Sequence, residues 1–233
     1  MSNIAIITAR GGSKRIPRKN IKEFLGKPII LYSIEAALQS GLFDEVMVST
    51  DDEEITEIAK AAGASVPFMR SKENANDFAT TADVLMEVIG EYEKMGRHFD
   101  YMACLYPTNP FITVEKLTNA MKIMMENDCA EVLPVVQFSF PPQRCFVFDE
   151  DGKSLKFKWE EYKNSRSQDL EKMYHDAGQF YCFDVENFMK NKGAKGAIYP
   201  IICKDTEVQD IDTEEDWKMA ELKVEFMKRA GLL

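Results

Sequence analysis

What most constrains this chain is an alternation of two patterns. Short, nearly continuous apolar runs (Asn3 to Thr8, Glu45 to Ser49, Tyr101 to Leu105, Glu131 to Val136, Gln179 to Phe183 and Ala197 to Cys203) are separated for most of the chain by stretches of helical period. Runs that brief and that apolar read as strands covered on both faces. Between them, Pro28 opens a helical pattern with Ile30, Leu31, Ile34, Ala37 and Leu38 on one face, and Gly41 is placed to end it. Asp52 to Ala62 carries acids in its first turn, which suits the helix dipole, and Gly63 stops it. Thr80 or Thr81 can cap a helix bearing Val84, Leu85, Val88 and Ile89, with Thr80 and Asp83 in a loose capping-box spacing. Thr113 starts a helix to about Asn127, and Thr213 with Asp216 starts the last one. Ala64 to Met69 reads as one more short strand. The βαβα order predicts a single α/β domain over residues 1–233, with a mainly parallel sheet and helices on both faces.

The order breaks between residues 138 and 175, which are rich in aromatics, charges and turn residues. Asp151-Gly152 sits between Cys145-Phe146-Val147-Phe148 and Leu155-Lys156-Phe157, the pattern of a hairpin. An apolar hairpin on an insertion is either a dimerisation arm or a flap over its own chain, and Phe146, Phe148, Phe157 and Trp159 favour the arm.

Charge narrows the function. The net charge of -10 argues against a general nucleic-acid binder, which needs a cationic face. Yet seven of the 29 Lys and Arg residues lie between Arg10 and Lys27, against the single acid Glu23. An acidic chain that concentrates cations in one early segment has built an anion site there. No apolar run exceeds about eight residues, so no membrane span is expected, and no secretory leader is apparent. The five scattered cysteines form no CxxC pair, which argues against zinc and for a reducing, cytoplasmic setting.

In open α/β sheets ligands bind beyond the carboxyl ends of the strands, and four polar segments occupy such ends. The first is Ala9-Arg10-Gly11-Gly12-Ser13-Lys14, continuing to Lys19-Asn20. Its glycines let backbone N–H groups approach phosphate, and Arg10, Lys14 and Lys19 can neutralise a triphosphate. It lacks the GK[ST] ending of a Walker loop and the GxGxxG spacing of a dinucleotide site. The second is Ser49-Thr50-Asp51, where Asp51 either touches ligand or caps the next helix, with Arg70 at the end of the following strand. The third is Tyr106-Pro107-Thr108-Asn109-Pro110. The fourth is Asp210-Ile211-Asp212, whose alternation puts two carboxylates on one side, able to share a hard cation, unless Asp212 serves only to cap the last helix.

Ala9-Arg10-Gly11-Gly12-Ser13-Lys14, Lys19-Asn20, Gly26-Lys27-Pro28, Val48-Ser49-Thr50-Asp51, Arg70, Tyr106-Pro107-Thr108-Asn109-Pro110 and Asp210-Ile211-Asp212-Thr213 together resemble the acylneuraminate cytidylyltransferases, the CMP-sialic acid synthetase family, in the same order and over nearly the whole chain. The resemblance implies a Rossmann-like nucleotidyltransferase fold and transfer of CMP from CTP to the anomeric hydroxyl of an acidic nine-carbon sugar, with release of pyrophosphate. It assigns nucleotide contact to Ala9, Arg10, Gly11, Gly12, Ser13, Lys14, Lys19, Asn20, Asp51, Arg70 and Thr80. Catalytic roles fall to Arg10, Lys14, Lys19 and Asp212, and Mg²⁺ falls to Asp210 and Asp212. The general base stays open between Asp212 and a metal-bound hydroxide. Lys14-Arg15, Arg166-Ser167-Gln168-Asp169-Leu170 and Asp176-Ala177-Gly178-Gln179-Phe180-Tyr181 resemble the pseudaminic acid branch, which serves bacterial surface glycans or flagellin. Tyr106, where sialic acid enzymes usually carry Gln, joins Arg144, Arg166, Gln168, Gln179 and Tyr181 as candidate sugar contacts. The resemblance also implies a homodimer whose arm arginines reach a neighbouring site. The alternatives are a cytidylyltransferase for N-acetylneuraminic, legionaminic or another keto-sugar acid, and a catalytically silent nucleotide-binding interaction protein on the same fold. Of the two histidines, His98 is placed on the surface, and His175 borders the sugar pocket.

Overall fold

A computed structural model of the chain describes residues 1–232. In chain order its elements are β1 (Asn3–Thr8), a short hairpin of β2 (Glu23–Phe24) and β3 (Lys27–Pro28), α1 (Ile30–Ser40), β4 (Glu45–Ser49), α2 (Glu53–Ala61), α3 (Thr81–Lys94), β5 (Tyr101–Leu105), α4 (Val114–Glu126) and β6 (Glu131–Gln137). There follow β7 (Phe146–Phe148), β8 (Leu155–Phe157), β9 (Tyr174–Asp176), β10 (Phe180–Asp184), α5 (Val185–Asn191), β11 (Ile198–Cys203) and α6 (Glu214–Arg229). The central sheet runs β11-β6-β10-β5-β1-β4, with β9 also paired to β6. β1 lies parallel to β4 and β5, and β11 lies parallel to β6.

The isoleucines of β1 are completely buried because the sheet is covered twice. Ala5, Ile7, Val48, Ala103 and Leu105 face α1, α2 and α4, and Ile4, Ile6, Met47, Met102 and Cys104 face α3 and α5. The caps read from the sequence are present. Asp52 accepts from Ile55 N at the start of α2, and Thr80–Asp83 and Thr213–Asp216 form complete capping boxes. Gly41 ends α1 in the left-handed region, at φ 63°.

Three features depart from the expected parallel pattern. Ala64 to Met69 is not a strand, since only Ser65 bridges to Met47. Pro67 has no N–H to continue a ladder, which ends the pairing there. β10 runs antiparallel between β5 and β6. β9, unannounced in the sequence, precedes it on the same side of β6, and Ala177 to Gln179 interrupts the two with Gly178 at φ 60°. α5 was likewise not anticipated. Within residues 138–175, β7 and β8 pair as the expected hairpin, Phe146 opposite Phe157, while Tyr174 and His175 at the end of that range join the central sheet through β6.

A third, separate core fixes the functional edge. Ile16, Phe24, Ile29, Phe111, Ile211 and Trp217 pack together under α6, and the Trp217 ring meets Phe24 edge-on at 5.4 Å. Burying Ile16 and Ile211 in one cluster holds the basic segment against the Asp210–Asp212 segment.

Candidate active site

Because β10 is the reversed strand, its start lies at the same edge as the ends of β1, β4, β5, β6 and β11. All four polar segments read from the sequence therefore converge on one edge, together with the Asp176–Gln179 break. Two adjoining cavities share Thr8 and Arg10 there. One, of about 360 Å³, is lined by Ser13, Lys14, Arg15, Lys19 and Asn20. The other, of about 210 Å³, is lined by Arg70, Asn74, Asp77 and Thr80. A basic cavity beside a mixed polar one suits a triphosphate and its nucleoside. A larger hollow of about 670 Å³ opens between Tyr101, Asp128, Asp184 and Ala197, at the opposite edge of the sheet and away from these segments.

The basic loop is built by neighbours that each make one demand. Ala9 N donates to the Ser49 carbonyl at 3.0 Å, which fixes the loop to the end of β4. Asn20, buried, donates from Nδ2 to the Arg10 carbonyl at 2.8 Å. Gly11 N donates to Asp51 Oδ1 at 2.9 Å, and a Cβ on Gly11 would lie 2.6 Å from Asp52 Oδ2. This removes the capping alternative for Asp51. Asp52 caps α2, while Asp51 holds the glycine backbone. Gly12 has open space around its Cα, and Ser13 N donates to the Gly11 carbonyl at 3.1 Å. Arg18 adopts a left-handed φ of 54°, held by ion pairs to Asp52 and Glu54. The hydrogen bond that Arg18 donates to Asp52 raises the Arg18 pKa.

Every cation of the segment meets a carboxylate from elsewhere in the chain. Arg10 and Lys14 both pair with Asp77, Arg15 pairs with Asp212 at 2.5 Å, Lys22 with Glu214 and Lys27 with Glu35. Lys19 Nζ donates to the Ile211 carbonyl at 2.6 Å and lies 3.8 Å from Asp212. Burial lowers the Lys19 pKa, and Asp212 and Asp210 oppose that shift. Asp77 had no signal in the sequence, and its hydrogen bonds from Lys14 and then Arg10 depress its pKa.

Arg70 is neither at a strand end nor on the surface. It is buried, and it donates from Nε to Ser49 Oγ at 3.0 Å and from Nη2 to the Ser49 carbonyl at 2.6 Å. Thr80 combines a cap for α3 with a place in the smaller cavity.

Asp212 is not the cap of α6, because Thr213 is. Ile211 is buried between exposed Asp210 and half-buried Asp212, so both carboxylates can point away from the core. Among the described residues no group of three or more His, Cys, Asp or Glu could hold a metal. Two carboxylates beside a basic cavity able to take phosphates nevertheless fit magnesium, which takes one or two carboxylates and completes its shell with phosphate and water. Arg15, 70% exposed, has the freedom to swing away from Asp212.

Where β5 ends and β10 begins, Tyr106 and Tyr181 meet edge-on at 5.3 Å, and Tyr181 Oη donates to Asp176 Oδ2 at 2.6 Å. Burial, then this bond, raises the Tyr181 pKa. The side chain of Gln179 departs from the expected sugar contact. It is fully buried, donating to the Glu207 carbonyl at 2.7 Å and accepting from Lys116 at 3.4 Å. Its backbone carbonyl accepts from Tyr106 N at 3.0 Å, so it braces this side rather than lining it. Arg144, Arg166 and Gln168 are exposed, and none of them has a hydrogen bond to Tyr106 or Tyr181. His98 is exposed, as is His175, whose ring lies 4.7 Å from Phe138.

Comparison with known proteins bears on this arrangement. Residues 4–198 match the family model described as cytidylyltransferase. A pseudaminic acid cytidylyltransferase of Campylobacter jejuni is 42% identical over 95% of this chain and 96% of its own. A CMP-N,N'-diacetyllegionaminic acid synthase of Legionella pneumophila is 32% identical over 99% of both. The structure of a CMP:2-keto-3-deoxy-manno-octonic acid synthetase complexed with CTP superposes with a TM-score of 0.69 at 18% identity, covering 98% of this chain and all of that one, a likeness of fold.

Proposed function

This chain belongs to the cytidylyltransferase family, and we propose that it transfers CMP from CTP to pseudaminic acid. What carries the reading is the placement of the Arg10–Asn20 loop across from Asp210 and Asp212 at one sheet edge, beside an aromatic acceptor wall of Tyr106 and Tyr181. In this reading Asp77 releases Arg10 and Lys14 to the triphosphate, while Gly11 and Gly12 let the backbone approach it. Arg70 and Thr80 flank the nucleoside. The anomeric oxygen forms a bond to the α-phosphorus as the bond to the bridging oxygen breaks, and pyrophosphate carries away the electron pair. Asp210 and Asp212 would hold Mg²⁺, which supplies charge neutralisation on the phosphates. Asp212 can accept the hydroxyl proton. Positioning and charge neutralisation account for most catalysis of this type.

No helix among the described residues is long and apolar enough to cross a membrane. Five free cysteines suit a reducing compartment, so we place the reaction in the cytoplasm. We also read residues 138–175 as a homodimer arm. Phe140, Phe146, Phe148 and Leu155 are 85%, 54%, 69% and 58% exposed, a patch a monomer rarely leaves open. A partner's arm would bring Arg144 and Arg166 to the acceptor side. Light scattering at micromolar protein should give twice the chain mass, and a fully active monomer would refute the arm.

The test of the reading is pyrophosphate release from CTP with pseudaminic, legionaminic or N-acetylneuraminic acid. The highest kcat/KM is expected for pseudaminic acid. The sugars share carboxylate and anomeric hydroxyl, so discrimination must come from polar groups left unpaired with the wrong sugar. Preference for another acid would move the chain to that branch. Release with none would favour a silent nucleotide binder.

A further inference from the structure

Behind the acceptor side three polar side chains close a ring. Lys116, in the first turn of α4, pairs from Nζ with Glu207 Oε2 at 3.1 Å and donates to Gln179 Oε1 at 3.4 Å. Gln179 closes the ring through its Nε2 to the Glu207 carbonyl at 2.7 Å. Lys116 also donates to the Phe111 carbonyl at 3.1 Å, so its three N–H groups have three acceptors. The side chains of Lys116 and Glu207 are only 11% and 14% exposed, and Gln179 is fully buried.

Each partner begins or ends a segment of the proposed site. Phe111 follows the Tyr106–Pro110 turn. Gln179 closes the Asp176–Gly178 break, whose Asp176 holds the Tyr181 hydroxyl. Glu207 leads directly into Asp210 and Asp212, and Lys223 of α6 grips the same stretch from the other side, through the Asp205 and Val208 carbonyls at 2.9 and 2.7 Å. The two acceptor segments are also tied to each other, by Asn109 Nδ2 to the Gly178 carbonyl and Tyr106 N to the Gln179 carbonyl, both at 3.0 Å. The link from these two to the carboxylate segment runs through Lys116 and Gln179. A buried ion pair is weak support for stability, because apolar replacements of similar volume are often neutral. What an ammonium with three fixed acceptors does supply is a defined geometry among three loops.

We propose that Lys116 is a positioning residue for CMP transfer, setting the acceptor wall of Tyr106 and Tyr181 at its working distance from Asp210 and Asp212. The proposal rests on the functional reading above. A misplacement of about 1 Å can cost roughly 100-fold in rate, while the nucleotide contacts on the far side of the cleft would be untouched.

The experiment uses the full chain as wild type, Lys116→Met, and the double variant Lys116→Met/Glu207→Met. It reads kcat, KM for the sugar acid, half-saturating Mg²⁺, CMP affinity by calorimetry and Tm. Lys116→Met should lose roughly 10- to 100-fold in kcat and need more Mg²⁺, with CMP affinity unchanged. Its Tm should also fall, because the Glu207 carboxylate and Gln179 Oε1 lose their shared partner in the interior. The double variant should regain Tm without regaining kcat or Mg²⁺ dependence. If activity returns with Tm, or if Lys116→Met keeps wild-type kcat and Mg²⁺ dependence, the ring is structural only and the proposal is wrong. A wild type that releases no pyrophosphate with any sugar acid overturns the functional reading itself, and this inference with it.

Discussion

On the nucleotide side, Arg10, Lys14 and Arg15 are 39%, 78% and 70% exposed where they meet Asp77 and Asp212. On the acceptor side, Lys116 and Glu207 meet almost out of solvent. Both halves join a cation to a carboxylate, yet the consequences differ. Exposed pairs contribute about 0–1 kcal/mol each and are screened by salt, so they can exchange a carboxylate for a phosphate at little cost. A buried pair costs several kcal/mol to break on one side only. The protein thus has an exposed half whose ion pairs can be exchanged, and a fixed half that joins the Phe111 and Gln179 segments to the stretch leading into Asp210 and Asp212. The Asp210–Asp212 segment belongs to both, since Lys19 and Arg15 approach it from the first and Glu207 leads into it from the second.

Variants at that shared segment should show the largest effect. Asp210→Asn and Asp212→Asn should each lower Mg²⁺-dependent pyrophosphate release by roughly 100-fold or more, the scale of losing a main electrostatic contact to the transferring group. Circular dichroism should stay unchanged, because neither carboxylate is needed by the fold: Thr213 and Asp216 cap α6, and Ile211 is what the core holds. Near-normal turnover in both variants would remove the metal assignment and leave the two halves without a common element.

The same contrast explains what could be read before the structure. The basic loop from Ala9 to Asn20 is contiguous in sequence, so its glycines, cations and asparagine announce it together. The fold was equally legible, because strand and helix periods depend on near neighbours, and Thr80 and Thr213 cap within three residues. Pairings between distant segments were not. Nothing near Asp77 shows that it faces Arg10 and Lys14, and nothing near Lys116 shows that it meets Glu207. The direction of β10 was hidden for a related reason. A buried apolar strand carries no mark of its orientation, and only the Asp-Ala-Gly-Gln break with Gly178 at positive φ hints at an interruption. Gln179 stands out in the sequence by its departure from the sialic acid pattern, which carries no sign that its side chain is buried against a distant lysine and a distant carbonyl.

A smaller effect tests whether the ion pairs of the exposed half are as exchangeable as their exposure implies. Asp77 holds both Arg10 and Lys14, and the Asn76 carbonyl adds a weak contact to Arg10 at 3.3 Å. A triphosphate must displace that carboxylate. Asp77→Asn should therefore lower the KM for CTP by about 2- to 10-fold at low salt, the range expected for two exposed pairs, with kcat nearly constant. The difference from wild type should shrink as ionic strength rises, because the lost pairs are screened. Its pH dependence has a fixed sign. Lys14 and Arg10 depress the Asp77 pKa, so the carboxylate is ionised throughout neutral pH and the difference is constant there. It vanishes only as pH falls through that depressed value, where wild-type Asp77 also becomes neutral. A rise in the KM for CTP would mean the opposite: that Asp77 preorganises the two cations, and that the nucleotide side is held as firmly as the ring around Lys116.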